Sequence, residues 1–263
     1  MQVFGQTRSK YSGDYALITP DTHVNCPLVD WLNTTGVIHI SPEMGARFTQ
    51  YTAFMEEDSE SGLPGETVQR FIYVQEGNCK LTVDVKRTRE GLRPPPASAE
   101  IHDLKPGSFA FIPASMGHII ECKTSAKLVV FEKFYQPHPD WGEPDSIVSH
   151  SEDIEAMPFM GDEDARLQTL LPIGPTFDMA VNIFTYQPGA TLPQVEIHVM
   201  EHGLLMLAGQ GIYRLSDDYH PVGEGDVIWM ASFCPQWFVA MGKTPATYIY
   251  YKDIHRDRLT EKE

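Results

Sequence analysis

The sequence is short of positive charge, of paired cysteines and of long apolar runs. Lys and Arg number 20 against 36 Asp and Glu, a net charge of −16. A phosphate backbone would be repelled by such a chain, so no nucleic-acid partner is expected. An anionic small substrate stays open, because a metal can reverse the field inside a pocket. Four cysteines are present, Cys26, Cys79, Cys122 and Cys234, with no CxxC pair and no regular spacing. They read as free thiols in a reducing compartment. No apolar run approaches the ~20 residues needed to span a bilayer. Met1–Lys10 is polar, so no signal peptide is expected. The expectation is a soluble, cytoplasmic protein without membrane contacts.

Long helical periodicity is also missing. What the chain has instead is 20 Gly, 20 Pro and 42% hydrophobic residues, a composition suited to many short strands joined by turns. Alternating or apolar segments occur at Val37–Ile40, Phe71–Val74, Lys80–Val85, Phe109–Ile112 and Lys127–Phe131. The second half repeats the habit at Met179–Tyr186, Gly203–Leu207, Ile212–Leu215, Val227–Met230 and Thr247–Tyr251. Short helices are expected at Pro27–Asn33 and near the C-terminus.

The two halves superpose as a repeat. Gly77 closes one apolar segment and Gly209 its counterpart. Lys105–Pro113 matches Gly223–Ala231, and His118 follows Gly107 by the same 11 residues that separate Gln236 from Gly225. Each half ends on an apolar strand closing in lysine, Val129–Lys133 and Tyr248–Lys252. Two β-barrels of this size are jelly-roll units. The expected organisation is a first barrel over 1–140, an acidic connector over 141–164 and a second barrel over 165–263. Arg87–Ala99, with its three consecutive prolines, reads as a surface loop of the first barrel.

Chemistry concentrates in Gly189–Gly209. On a strand Glu196 and His198 would share a face, His202 would return to it after a bend, and Gln236 would arrive from a later segment. The pattern resembles a cupin, whose first motif reads G…HxH…E…G and whose second reads G…P…H. Glu196 stands at the first His position, His198 at the second, His202 at the Glu position and Gln236 at the last His. This permuted Glu-x-His-x-x-x-His…Gln set resembles the (S)-ureidoglycine aminohydrolase family, and the likeness runs over the whole chain.

That resemblance implies an all-β bicupin, two jelly-roll barrels in tandem with short flanking helices. It implies one Mn²⁺ per chain on Glu196, His198, His202 and Gln236. A carboxylate, an amide oxygen and two imidazoles form a hard-leaning O/N set in keeping with that metal. The implied reaction is hydrolytic deamination of (S)-ureidoglycine to (S)-ureidoglycolate and ammonia, a step of allantoin and purine breakdown, on a small anionic ureido acid. Tyr213, Tyr248 and Lys252 match residues that line the family's substrate pocket. They are the expected catalytic residues, and with Glu196 the expected substrate contacts. Tyr213 and Tyr248 read otherwise as barrel core, and Lys252 as a solvated strand end. In the first barrel the corresponding positions are Pro64, Glu66, Arg70 and His118. Proline cannot ligate and arginine is a fixed cation, so that half is expected to be structural and to contribute contacts in a homo-oligomer.

Rival readings exist. His198-Val-Met-Glu201-His202 is also an H-x-x-E-H string, a metalloprotease pattern that needs a helix. The β-branched flanks and Gly203 oppose one, and Glu201 is expected to face solvent. Cys234 and Trp237 flank Gln236 as packing residues. Another metal-dependent bicupin enzyme, a dioxygenase or isomerase, or a non-catalytic cupin binding protein, remains the alternative, since fold alone does not decide function.

Overall fold

The computed structural model describes residues 6–84, the backbone of 87–88 and 91–92, and residues 99–257. Among these, helix is limited to three short 3₁₀ turns, Pro20–Thr22, Pro42–Met44 and Ser151–Asp153. Everything else regular is strand. The expected helix at Pro27–Asn33 is absent. Cys26–Pro27 and Leu32–Ile40 are strands that pair with one another. Leu32–Ile40 then runs beside Thr49–Glu60, and its Thr, Val and Ile side chains suit that pleated surface. Near the C-terminus the described residues, which end at 257, form no helix, and the chain beyond lies outside them, as does most of the expected proline-rich loop.

The chain forms two compact units, each a jelly-roll barrel with its own core. In Val24–Asp153 the core gathers Tyr51, Ile72, Val74, Leu81, Ile120 and Leu128 among others. The second unit buries Leu17, Phe184, Tyr186, Leu204, Tyr213, Phe238 and Tyr248. Residues up to His23 belong to this second unit, which departs from the expected 1–140 boundary. Tyr15–Ile18 pairs antiparallel with Val227–Met230 and gives that sheet an outer strand. An exposed strand edge must be covered or paired, and the N-terminal segment does it. Arg8 clamps the arrangement with a forked pair of bonds, 2.7 and 2.8 Å, to the fully buried Asp226 carboxylate. The changeover between units falls at Asp153–Ile154, inside the expected connector. Its two ends are strands, Ile147–His150 on Ser108–Ile112 and Met157–Phe159 on Asp162–Thr169.

The repeat has a physical basis at its glycines. Gly77 and Gly209 both hold left-handed backbone, φ +76° and +72°. A Cβ there would lie 2.1 Å from the Ser125 carbonyl oxygen and 2.3 Å from that of Pro245 respectively. Each barrel therefore demands glycine at the same turn.

The sheet that carries the site has the order Asp162–Thr169, Met179–Tyr186, Ala246–Asp253, His202–Ala208, Val227–Met230. The facing sheet is Asp218–Gly223, Gln210–Leu215, Gln236–Met241. Inward residues of the two sheets enclose a cavity of about 290 Å³.

Candidate active site

Glu196, His198, His202, Gln236, Tyr213, Tyr248 and Lys252 all line this one cavity. Glu196 does not sit in a full strand. It forms a single bridge with Gln236, each backbone N–H reaching the other's carbonyl at 2.8 and 3.0 Å. That bridge ties the segment before His198 to the start of the Gln236–Met241 strand. His198 is fixed further by its own carbonyl, which accepts from the Phe233 N–H at 2.7 Å. His202 opens the next strand, opposite Lys252 on one side and Met230 on the other.

The four expected ligands converge. The His198 and His202 rings lie 4.8 Å apart between centroids. His198 Nδ1 donates to the Met200 carbonyl at 3.0 Å, which leaves Nε2 as the lone-pair nitrogen facing the cavity. Gln236 Nε2 donates to that nitrogen at 2.9 Å, and a Glu196 oxygen stands 3.9 Å from it. His202 is 8% exposed, and its Nε2 has no hydrogen-bond partner. Burial holds this imidazole well below its ordinary pKa. The neighbouring His198 and Lys252 add to the effect, and the nearby Gln236 amide opposes it. A neutral, buried, unpartnered imidazole nitrogen beside a second imidazole, a carboxylate and an amide fits a divalent cation. Among the described residues no three His, Cys, Asp or Glu side chains are drawn in to ligand spacing by themselves. The Gln236 amide stands against His198, and a half-turn, an exchange of O and N that preserves its shape, would present its oxygen to a cation instead.

The aromatic floor lies below. Tyr213 donates to Gln236 Oε1 at 3.4 Å, and the Tyr186 and Tyr248 hydroxyls meet at 3.1 Å. Burial pushes the Tyr213 and Tyr248 phenols well up, and neighbouring charge, Glu196 for Tyr213, adds to it. Both stay protonated and act as donors. The two readings of these tyrosines, core and pocket, are both true of them. Lys252 is half-buried, which lowers its pKa from the usual lysine value, while Glu196 and Asp253 oppose the shift. It is therefore no solvated strand end.

Glu201 departs from expectation. It is 1% exposed and accepts the Trp229 indole N–H at 3.3 Å. Its backbone N–H is held by Asp253 Oδ1 at 2.6 Å. The segment before it is irregular rather than helical, so a helical protease arrangement is not formed. Cys234 and Trp237 pack as expected, Cys234 in the core and Trp237 on the Leu192 carbonyl at 2.8 Å. Sequence reading gave no role to the polar cavity residues Thr169, Asn182, Tyr250 and His255. Tyr250 was legible from the alternation of Tyr248 and Lys252, whereas Thr169 and Asn182 belong to no motif.

A probable (S)-ureidoglycine aminohydrolase of rice (Oryza sativa subsp. japonica) is 42% identical over 255 residues, covering 97% of this chain and 78% of the relative. The (S)-ureidoglycine aminohydrolase of Arabidopsis thaliana is 41% identical over 258 residues, 97% of this chain and 80% of that one. The chain belongs to the (S)-ureidoglycine aminohydrolase family. No family model matches it. Among solved structures, protein Ylba of E. coli superposes with a TM-score of 0.79 at 27% identity, covering 95% of this chain and 96% of that one. An oxalate decarboxylase variant of Bacillus subtilis, at 10% identity and TM-score 0.66, covers 89% of this chain and 76% of its own and shares the bicupin fold. Family membership accounts for the whole length of the likeness, degenerate barrel included.

Proposed function

We propose that the protein hydrolyses (S)-ureidoglycine to (S)-ureidoglycolate and ammonia at the cavity of the second barrel. One observation carries this reading. The Glu196, His198, His202, Gln236 set shares a single cavity with Tyr213, Tyr248 and Lys252, in a chain 42% identical to a relative bearing that name.

Glu196, His198, His202 and Gln236 would hold one divalent metal, and we take it as manganese on the family resemblance, with which their hard-leaning O/N donor set is in keeping. Such an ion supplies a Lewis acid for the substrate's carboxylate and amine and an activator of water. With Glu196 its formal charge is +1, which draws an anionic acid into an otherwise acidic protein.

The chain's own groups do the rest. Lys252, lining the cavity beside His202, offers a cation to the substrate carboxylate. Its lowered pKa also suits it to hand a proton from Nζ to the departing amine. Tyr213 and Tyr248 keep their protons and donate into the cavity, whose apolar lining includes Phe184, Leu192 and Leu204. The overall change breaks one C–N bond and forms one C–O bond, with water supplying the hydroxyl and ammonia carrying off the nitrogen. The test is ammonia release from freshly generated ureidoglycine, with and without added Mn²⁺. Metal-dependent release is expected. No release under either condition sinks the reading and favours a binding cupin.

A further inference from the structure

The cavity wall is laid out in cross-strand rows. One row reads Ala180, Lys252, His202. The next, two residues along each strand, reads Thr169, Asn182, Tyr250, Leu204. The third reads Leu167, Phe184, Tyr248, Met206. The first row carries the cation and a metal-ligand candidate, and the third is apolar and aromatic. The middle row is polar, although Asn182 is 3% exposed and Tyr250 8%. A polar row on a cavity wall offers hydrogen-bonding groups to whatever the cavity holds.

The two side chains belong to residues that stand opposite one another in the sheet, and both line the cavity. Between them the Asn182 amide carries an N–H donor and a carbonyl acceptor, and the Tyr250 hydroxyl can give or take a hydrogen bond. A urea end group presents the complement, a carbonyl oxygen beside an NH₂. Rows two residues apart are separated by about 7 Å. A carboxylate and a terminal urea nitrogen on the same small acid span roughly 5 Å, from ordinary bond lengths of about 1.5 Å. One molecule can thus reach both rows.

Building on the proposed function, we infer that Asn182 and Tyr250, with Thr169 beside them, recognise the ureido group and set the specificity of the site. The remaining row, Lys252 and its neighbours, reads the carboxylate. The two ends of the substrate are therefore held by different pieces of the sheet, and the carbon between them faces the metal-ligand candidates.

The test is calorimetric binding to the Mn²⁺-loaded protein of two inert acids, N-carbamoylglycine and N-acetylglycine. They differ by NH₂ against CH₃ at the end the middle row faces. Wild type is expected to prefer the carbamoyl acid by on the order of tenfold or more, the worth of one buried hydrogen bond left unmade. Asn182→Leu and, independently, the less disruptive Tyr250→Phe should reduce that ratio towards one, while Lys252→Met weakens both acids and keeps the ratio. No preference in wild type, or an undiminished ratio in both Asn182→Leu and Tyr250→Phe, overturns the inference. Its failure is separable from that of the proposed function. A protein that deaminates ureidoglycine yet ignores these substitutions loses only the ureido assignment. One that discriminates the two acids but releases no ammonia keeps it and loses the activity.

Discussion

Arg70 Nη1 donates to His118 Nε2 across 2.9 Å, on the two positions of the first barrel that correspond to His202 and Gln236 in the second. The guanidinium is 2% exposed. It is neutralised by Glu132 at 2.7 Å from Nε, donates to the Gly62 carbonyl at 2.9 Å and lies 5.2 Å over the Trp31 ring. A fixed cation thus occupies the place where the other barrel gathers neutral and anionic donors. A second cation there would meet direct repulsion, and removal of Arg70 would strand Glu132.

The first prediction is one tightly bound divalent metal per chain, held in the second barrel. Elemental analysis of the purified protein should give one equivalent, and His202→Ala should lose it. Arg70→Ala should leave the metal content at one. Two equivalents in wild type, or full retention in His202→Ala, contradicts the assignment.

A second prediction concerns acid stability. Burial, helped by the Arg70 charge, holds His118 well below its ordinary pKa of 6.5. The native imidazole is neutral, while the unfolded one takes up a proton as pH falls through about 6.5. The unfolded state then binds more protons, so stability is full above that pH and declines below it. The limiting slope for one such group is about 1.4 kcal/mol per pH unit. Denaturant unfolding between pH 7 and pH 5 should show the decline, and His118→Asn, which keeps an acceptor for Arg70, should flatten it. An unchanged slope in that variant would assign the acid sensitivity elsewhere.

Glu201 provides the third. Its carboxylate sits in the fold as the acceptor for the Trp229 indole N–H, outside the ligand set. Glu201→Ala should strand that donor and cost ~1–3 kcal/mol, a fall of several degrees in Tm for a chain of this size. Glu201→Gln preserves an acceptor and should retain the metal. Loss of metal from Glu201→Gln with an intact fold would make Glu201 a ligand after all.

Much of this architecture was legible because the repeat is local and periodic. The strand at Met179–Tyr186 was read with its observed bounds, and the four expected ligands follow a spacing that the barrel brings to one cavity. The misreadings have particular causes. Tyr15–Ile18 is four residues long, and nothing in so short a segment names Val227–Met230 as its partner. Glu201 looked solvent-bound because carboxylates usually are, and the acceptor role that buries it depends on Trp229, distant in sequence. Thr169 and Asn182 become neighbours of Tyr250 only through sheet register, which a single sequence does not display.

The last prediction is that Lys252→Met abolishes most turnover while metal and fold are kept. Lys252 stands opposite His202 in the sheet and lines the cavity. Methionine matches its length and apolar stem, so packing against the neighbouring strands is preserved. What disappears is the charge and the proton. Loss of a positioned proton donor typically costs ~10²–10⁴-fold, and metal content and Tm should stay near wild type. The pH profile separates a proton-transfer role from mere packing. Burial lowers the Lys252 pKa below the usual 10.5, so a protonated lysine that serves the reaction is lost as pH rises through that lowered value. Wild-type turnover should fall on the alkaline side, and the residual activity of Lys252→Met should lack that limb. Near-wild-type turnover of the variant at saturating substrate would remove Lys252 from the chemistry. A variant that retains turnover but binds substrate weakly would leave it as a carboxylate-binding group alone.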